Sequence, residues 1–67
     1  MRQPYQQRVA EELKELSERR NRLDAFIHDP RFSNLPKDEQ DRMQKQFAIM
    51  RQYEFVLEDR IAHFPPA

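Results

Sequence analysis

The chain has 67 residues, no cysteine and no glycine, and its 12 basic and 12 acidic side chains cancel to a formal net charge of zero. A chain this short buries little core, and without cysteine it has neither disulfides nor thiolate metal ligands, so self-association is expected instead. The balanced charge argues against a protein that follows a DNA or RNA polymer, because such proteins carry a basic excess.

Five prolines punctuate the chain: Pro4, Pro30, Pro36, Pro65 and Pro66. Proline fits the first turn of a helix and breaks its interior. The prolines therefore predict two helices, over 5–28 and 36–64. The connection between them is expected to contain one short helical turn around residues 31–33.

Each predicted helix carries an apolar seam with heptad spacing that a charged residue interrupts once. The first seam comprises Val9, Leu13, Leu16, Leu23 and Ile27, and the second comprises Met43, Phe47, Met50, Leu57, Ile61 and Phe64. Two seams of matching period joined by a short loop predict an all-α fold. We expect one antiparallel two-helix hairpin domain over residues 1–67.

The interruptions of the two seams are Arg20 and Glu54, which lie within about one turn of each other when the helices pair antiparallel. Two alternatives are open. The residues form a half-buried ion pair that fixes the register of the hairpin, or Arg20 leaves the seam and points into a ligand pocket.

The second predicted helix carries another apolar stripe, formed by Ile49, Tyr53 and Val56, which is rotated away from its seam and cannot face the first helix. Further apolar side chains add to this surplus: Phe26, Phe32, Leu35 and Phe55. Because two helices cannot cover all of this surface, we expect the stripe to be an interface between copies in a homo-oligomer. The alternative is that the stripe docks a host or phage protein.

No constellation of residues indicates catalysis, a metal or a cofactor. A glycine-rich phosphate loop is impossible, and Ser17 and Ser33 have no evident base partner. His28 and His63 lie too far apart in sequence to suggest a zinc site. There is also no apolar run long enough to span a membrane and no signal-peptide pattern. We expect a non-enzymatic protein of the cytoplasm.

One aromatic ring and several guanidinium groups lie along the first predicted helix: Tyr5, Arg8, Arg19, Arg20 and Arg22. Arginine suits phosphate recognition, and a tyrosine ring offers a flat face to a nucleobase. Tyr5 and Arg20 lie about 22 Å apart along the helix. A small ligand can contact both only if they come from different protomers.

Several spaced segments resemble a family of short phage helical-hairpin proteins. They are Tyr5-Gln-Gln-Arg-Val9, Leu23-Asp-Ala-Phe-Ile27, Leu35-Pro-x-x-Glu-Gln40, and Tyr53 with Leu57-x-x-Arg-Ile-Ala62. The characterised members are anti-CBASS sponges, compact homohexamers that sequester the cyclic oligonucleotides of a bacterial anti-phage defence without cleaving them. The resemblance implies the same for this chain, in the cytoplasm of the infected bacterial host.

The resemblance also implies roles for particular residues. In that family a tyrosine near the start of the first helix stacks on a nucleobase, and a lysine about four turns later contacts phosphate. Tyr5 matches the tyrosine, and the basic position falls at Arg20, or at Arg19 if the register differs by one. With Arg8 these are the candidate ligand-binding residues. Arginine in place of lysine keeps the charge but changes the contact geometry.

The rival hypothesis is a structural or protein-binding hairpin. An Arg20–Glu54 ion pair together with an exposed stripe of Ile49, Tyr53 and Val56 would favour that rival. A subunit of a larger phage assembly is a third alternative.

Overall fold

The structure, a computed structural model, describes residues 3–66 and consists of two α-helices with a short 3-10 helix between them. Helix α1 spans Pro4–Ile27, the 3-10 turn spans Pro30–Asn34, and helix α2 spans Lys37–Ala62. The two α-helices lie antiparallel in a rod of 50 × 14 × 14 Å. The predicted hairpin and the predicted turn in its connection are confirmed, and the helix ends lie within two residues of the predicted ones.

The first turns of both helices follow from local sequence. Pro4 is the first helical residue of α1, and the side-chain Oε1 of Gln6 accepts a hydrogen bond of 2.9 Å from the backbone N–H of Gln3. This contact is one half of a capping box, and it gives the side-chain oxygen of the buried Gln6 a hydrogen-bond partner. At the start of α2, Asp38 and Glu39 place negative charge beside the positive end of the helix dipole.

The helices end without glycine, and the described residues 3–66 contain no positive φ angle. His28 closes α1 and His63 closes α2. The Nδ1 atom of His28 lies 2.9 Å from the carbonyl oxygen of Asp24, and Nδ1 of His63 lies 2.8 Å from that of Asp59. Because a carbonyl oxygen only accepts, each contact is a hydrogen bond when Nδ1 carries the proton. Each ring nitrogen thus adds a second donor to a carbonyl that already accepts from the backbone N–H of the same histidine, at 3.3 Å for Asp24 and 3.2 Å for Asp59.

A small apolar core joins α1 to α2. Val9, Leu16 and Leu57 are buried in it, and Leu57 has no exposed surface. Partly buried seam residues surround them: Leu13, Met50, Ile61 and Phe64. Burying one leucine contributes about 1.5–3 kcal/mol. A core with so few fully buried side chains supports only a marginal fold in the single chain.

The connection covers part of the apolar surface that the sequence predicts to be in surplus. Phe32 is buried, and its ring packs edge-on against Phe26 with the ring centroids 6.3 Å apart. Asp29 holds the turn by accepting a hydrogen bond of 2.8 Å from the backbone N–H of Arg31. Of the surplus apolar side chains, Phe32 is thus covered within the single chain, because the 3-10 turn folds it back onto the hairpin. Within residues 3–66 no helix is long and apolar enough to cross a membrane.

Candidate ligand-binding and interface surfaces

Tyr5 lies at the open end of the hairpin, where α1 begins and α2 has ended. Its ring packs edge-on against Phe64, with the ring centroids 5.7 Å apart and the planes at 81°. The side-chain Nε2 of Gln6 donates a hydrogen bond of 3.4 Å to the Tyr5 hydroxyl oxygen. The residue still exposes 42% of its surface. Tyr5 is therefore supported on one side and accessible on another.

Arg20 forms an ion pair with Glu54 across the hairpin, between Nε and the carboxylate oxygen Oε1. The ion pair of the first alternative for these seam interruptions is therefore present. Glu54 is almost completely buried, and its other oxygen, Oε2, accepts a hydrogen bond of 2.7 Å from the hydroxyl of Ser17. A second guanidinium group, that of Arg51, lies 3.4 Å from Oε1.

The surroundings of Glu54 keep it ionised. Burial alone raises the pKa of this carboxyl group, but the hydrogen bond from Ser17 and the positive charges of Arg20 and Arg51 lower it by more. The net result is a pKa below the ordinary value. The carboxylate is therefore a permanent negative charge between two arginines at neutral pH.

The two candidate phosphate-binding residues, Arg19 and Arg20, have different environments. The Arg20 side chain is only 20% exposed, and its Cζ lies 6.0 Å from the centre of the Phe47 ring. The Arg19 side chain is 61% exposed and contacts only Glu15, at 3.6 Å, among the charged groups of the described residues. Consecutive helical residues are rotated by about 100°, so Arg19 lies outside the seam, on one flank of the hairpin.

Arg8 is exposed and lies on the same flank as Arg19, because eleven residues rotate a helix by about three full turns. Tyr5 and Arg20 do not come together within one chain, as their separation along α1 predicts. Residues 3–66 of the single chain enclose no cavity.

The stripe formed by Ile49, Tyr53 and Val56 is exposed on α2, with 58%, 44% and 55% of the respective residue surfaces accessible. The Tyr53 hydroxyl donates a hydrogen bond to the Glu12 carboxylate on α1. This bond raises the pKa of Tyr53, since the phenol proton is held between the two oxygens. The bond to Glu12 places the stripe on the flank of the hairpin that also carries Arg8 and Arg19.

Phe55 adds a second exposed apolar surface on a different side of α2. It is 53% exposed, and the guanidinium group of Arg51 stacks over its ring at 4.2 Å. From the sequence, Phe55 is expected among the apolar side chains that two helices cannot all cover, whereas no role is assigned to Arg51. The spacing of four residues between the two was the available signal, because side chains so spaced are neighbours on a helix.

The whole hairpin is the part of the chain that known proteins share. Residues 3–63, from the first turn of α1 to the end of α2, match the Sequestin family. A relative from Enterobacteria phage T4, described as "Uncharacterized 7.5 kDa protein in denB-rIIB intergenic region", is 38% identical over 60 residues, covering 90% of this chain and 94% of that protein. No solved structure matches the chain.

These matches define a class of small helical-hairpin proteins of phages. The chain belongs to the Sequestin family, and the resemblance to phage sponge proteins is confirmed. The name of the family denotes sequestration, which is a binding role rather than a catalytic one.

Proposed function

We propose that this protein sequesters cyclic di- or trinucleotide signals of a bacterial anti-phage defence without cleaving them, in the cytoplasm of the infected host. The observation that carries the proposal is the Sequestin match over residues 3–63, which spans both helices and the connection. A zero net charge suits a small enclosed anion better than a long polyanion.

Tyr5 stacks on a base of the ligand, and a basic side chain of α1 binds its phosphates. The ring of Tyr5 suits this role because Phe64 fixes its orientation while part of it remains accessible. Arg20 or Arg19 supplies the phosphate contact, with Arg8 as a further cation. Tyr5 and Arg20 are about 22 Å apart along α1, so each pocket is built from two protomers.

The stripe of Ile49, Tyr53 and Val56 joins the protomers, and the assembly is a homohexamer. These side chains are more than two-fifths exposed in the single chain. Burying apolar side chains of this kind is the main driving force of association. The small core of the hairpin gives the chain a further reason to associate, because copies that pack together bury more apolar surface.

The protein-docking hairpin remains the second candidate, because both features that favour it are present. Arg20 pairs with Glu54, and the stripe is exposed. Neither feature is specific to that rival. The ion pair uses one edge of the guanidinium group, and an apolar stripe serves self-association equally well. Membership of the Sequestin family favours the sponge.

A ligand screen separates the two candidates. The melting temperature of the protein is measured with cyclic di-AMP, cyclic di-GMP, 3′,3′-cyclic GMP-AMP and cyclic tri-AMP, and calorimetry gives the affinity of each ligand that shifts it. A ligand at 100 times its dissociation constant stabilises the folded protein by about 2.7 kcal/mol. A clear rise in melting temperature with at least one cyclic nucleotide is expected. No shift with any of them refutes the sponge.

Tyr5→Ala tests the stacking role in the same assay. We expect the ligand-induced shift to be lost while sedimentation shows the same oligomer as the wild type. Tyr5→Phe is the matched control, because it keeps the ring that stacks and packs on Phe64 and removes only the hydroxyl. Unchanged affinity in Tyr5→Ala would show that Tyr5 is not part of the site.

A further inference from the structure

The most deeply buried charge in residues 3–66 is the carboxylate of Glu54, which is 2% exposed. It is held from two sides, by the Ser17 hydroxyl at 2.7 Å on Oε2 and by the Arg20 Nε group on Oε1. Ser17 and Arg20 lie on adjacent turns of α1, whereas Glu54 lies on α2. The cluster therefore spans the interface between the helices and has a defined geometry.

The way in which Arg20 meets this carboxylate leaves most of its donors for another partner. Arginine carries five N–H groups, one on Nε and four on the two terminal nitrogens. The Nε atom and Oε1 of Glu54 are both shielded from solvent, while the Arg20 side chain as a whole keeps 20% of its surface exposed. The terminal pair of nitrogens is the edge that binds a phosphate bidentately.

The charges of the cluster are balanced. Glu54 is the common partner of Arg20 and of Arg51, whose guanidinium lies 3.4 Å away. Glu58, 3.9 Å from Arg51, supplies a second carboxylate, so two carboxylates match the two guanidinium groups.

Arg19 offers no comparable arrangement. Its side chain is 61% exposed, with Glu15 of the same helix at 3.6 Å, and exposed pairs of this kind restrain a side chain only weakly. An arginine that is ordered before the ligand arrives loses less conformational entropy on binding. Arg20 is therefore preorganised to bind an anion, and Arg19 is not.

We propose that Glu54, anchored by Ser17, is a positioning residue that orients Arg20 so that its terminal nitrogens contact the phosphate of the ligand. This inference rests on the proposed function and deepens it, because it assigns the phosphate contact to Arg20 rather than Arg19. It also predicts that a buried acidic residue is needed for the binding of an acidic ligand.

The test is a double-mutant cycle on ligand affinity. Calorimetry with the tightest-binding cyclic nucleotide of the screen compares the wild type, Glu54→Gln, Arg20→Ala and the double variant. Glutamine matches the shape of glutamate but carries no charge to hold Nε. We expect Glu54→Gln to weaken binding about tenfold in the wild-type background and to have no further effect in Arg20→Ala, since contacting residues couple by factors of this size.

Arg19→Ala provides the matched background. In this background Glu54→Gln should still weaken ligand binding about tenfold, because Arg20 is present to pair with residue 54. Ser17→Ala is a milder variant for the case that Glu54→Gln folds poorly, and we expect it to weaken binding about threefold through loss of the anchor. In the free protein, the Nε–H signal of Arg20 in NMR should exchange slowly with water in the wild type and faster in both variants.

Three outcomes overturn this inference and leave the proposed function intact. They are tighter ligand binding by Glu54→Gln, an equal loss of affinity from Glu54→Gln in the wild-type and Arg20→Ala backgrounds, or full affinity of Arg20→Ala. The first would make Glu54 a competitor of the phosphate, and the second would make its role structural. If the wild type binds no cyclic nucleotide, the proposed function itself fails. The two failures are distinguished by the wild-type titration.

Discussion

Replacing Ile49 by aspartate should separate the protomers. Ile49 lies in the middle of α2 and keeps 58% of its surface exposed, so the single hairpin needs little from it. An assembly that covers the stripe of Ile49, Tyr53 and Val56 would bury this side chain. The substitution removes the apolar group and puts an unpaired charge in its place.

The exposed fraction sets the size of the effect. Full burial of an isoleucine contributes about 1.5–3 kcal/mol. A little over half of Ile49 is accessible in the single chain. Covering that accessible part contributes about 1 kcal/mol per copy, or about 2 kcal/mol where two copies meet symmetrically. Every 1.4 kcal/mol is tenfold in affinity, so the loss of burial alone weakens self-association about 30-fold. The buried aspartate adds a desolvation cost to this.

Sedimentation velocity over a range of protein concentrations measures the change, and circular dichroism checks that the variant is still helical. Asn21→Asp is the control, because it adds the same charge at an exposed position on the face of α1 turned away from α2. An Ile49→Asp protein that sediments like the wild type at every concentration would refute the assignment of the stripe as the interface between protomers.

Three further predictions concern the hairpin itself. Leu57→Ala should lower the free energy of unfolding by about 3 kcal/mol, because it empties a fully buried core position; urea unfolding at one fixed protein concentration measures it, and a loss below 1 kcal/mol would contradict the proposed core. The raised pKa of Tyr53 means that its bond to Glu12 stabilises the fold below the ordinary tyrosine pKa, and that this contribution disappears as the pH rises through the higher folded value. Ultraviolet titration of Tyr5→Phe, which leaves Tyr53 as the one phenol, should show an ionisation above pH 10.0. An ordinary tyrosine midpoint would contradict the bond to Glu12. The lowered pKa of Glu54 means that its ion pair stabilises the fold above the ordinary carboxyl pKa, and that this contribution disappears as the pH falls through the lower folded value. The free energy of unfolding should therefore fall less steeply with acid in Glu54→Gln than in the wild type. Identical pH profiles of the two proteins would contradict a stabilising role of the ion pair.

The sequence is sufficient to predict the hairpin because its signals are local and repeated. Proline marks the start of α1, and the residue before α2 is Pro36. The heptad seams fix which faces meet, and the pairing of Arg20 with Glu54 follows from the same register. These features depend on spacing along one helix or on a single pairing rule.

The contacts that sequence reasoning missed depend on side-chain reach rather than on spacing. Ser17 binds Glu54 from the edge of the seam, and Glu12 accepts from Tyr53 although neither belongs to a seam. Which polar groups meet at the edges of a helix pair depends on small rotations of the two helices and on rotamers. The burial of Phe32 is not readable from the sequence for a similar reason, since the path of the connection decides whether its ring folds back.

The central claim is that the protein holds a cyclic oligonucleotide and leaves it intact. The direct measurement mixes excess protein with the tightest-binding cyclic nucleotide, separates free from bound nucleotide by ultrafiltration, and releases the bound fraction by heat for mass spectrometry. The account predicts an empty filtrate and full recovery of the unaltered cyclic nucleotide after heating. Nucleotide that stays in the filtrate, or that returns as a linear product, would contradict it.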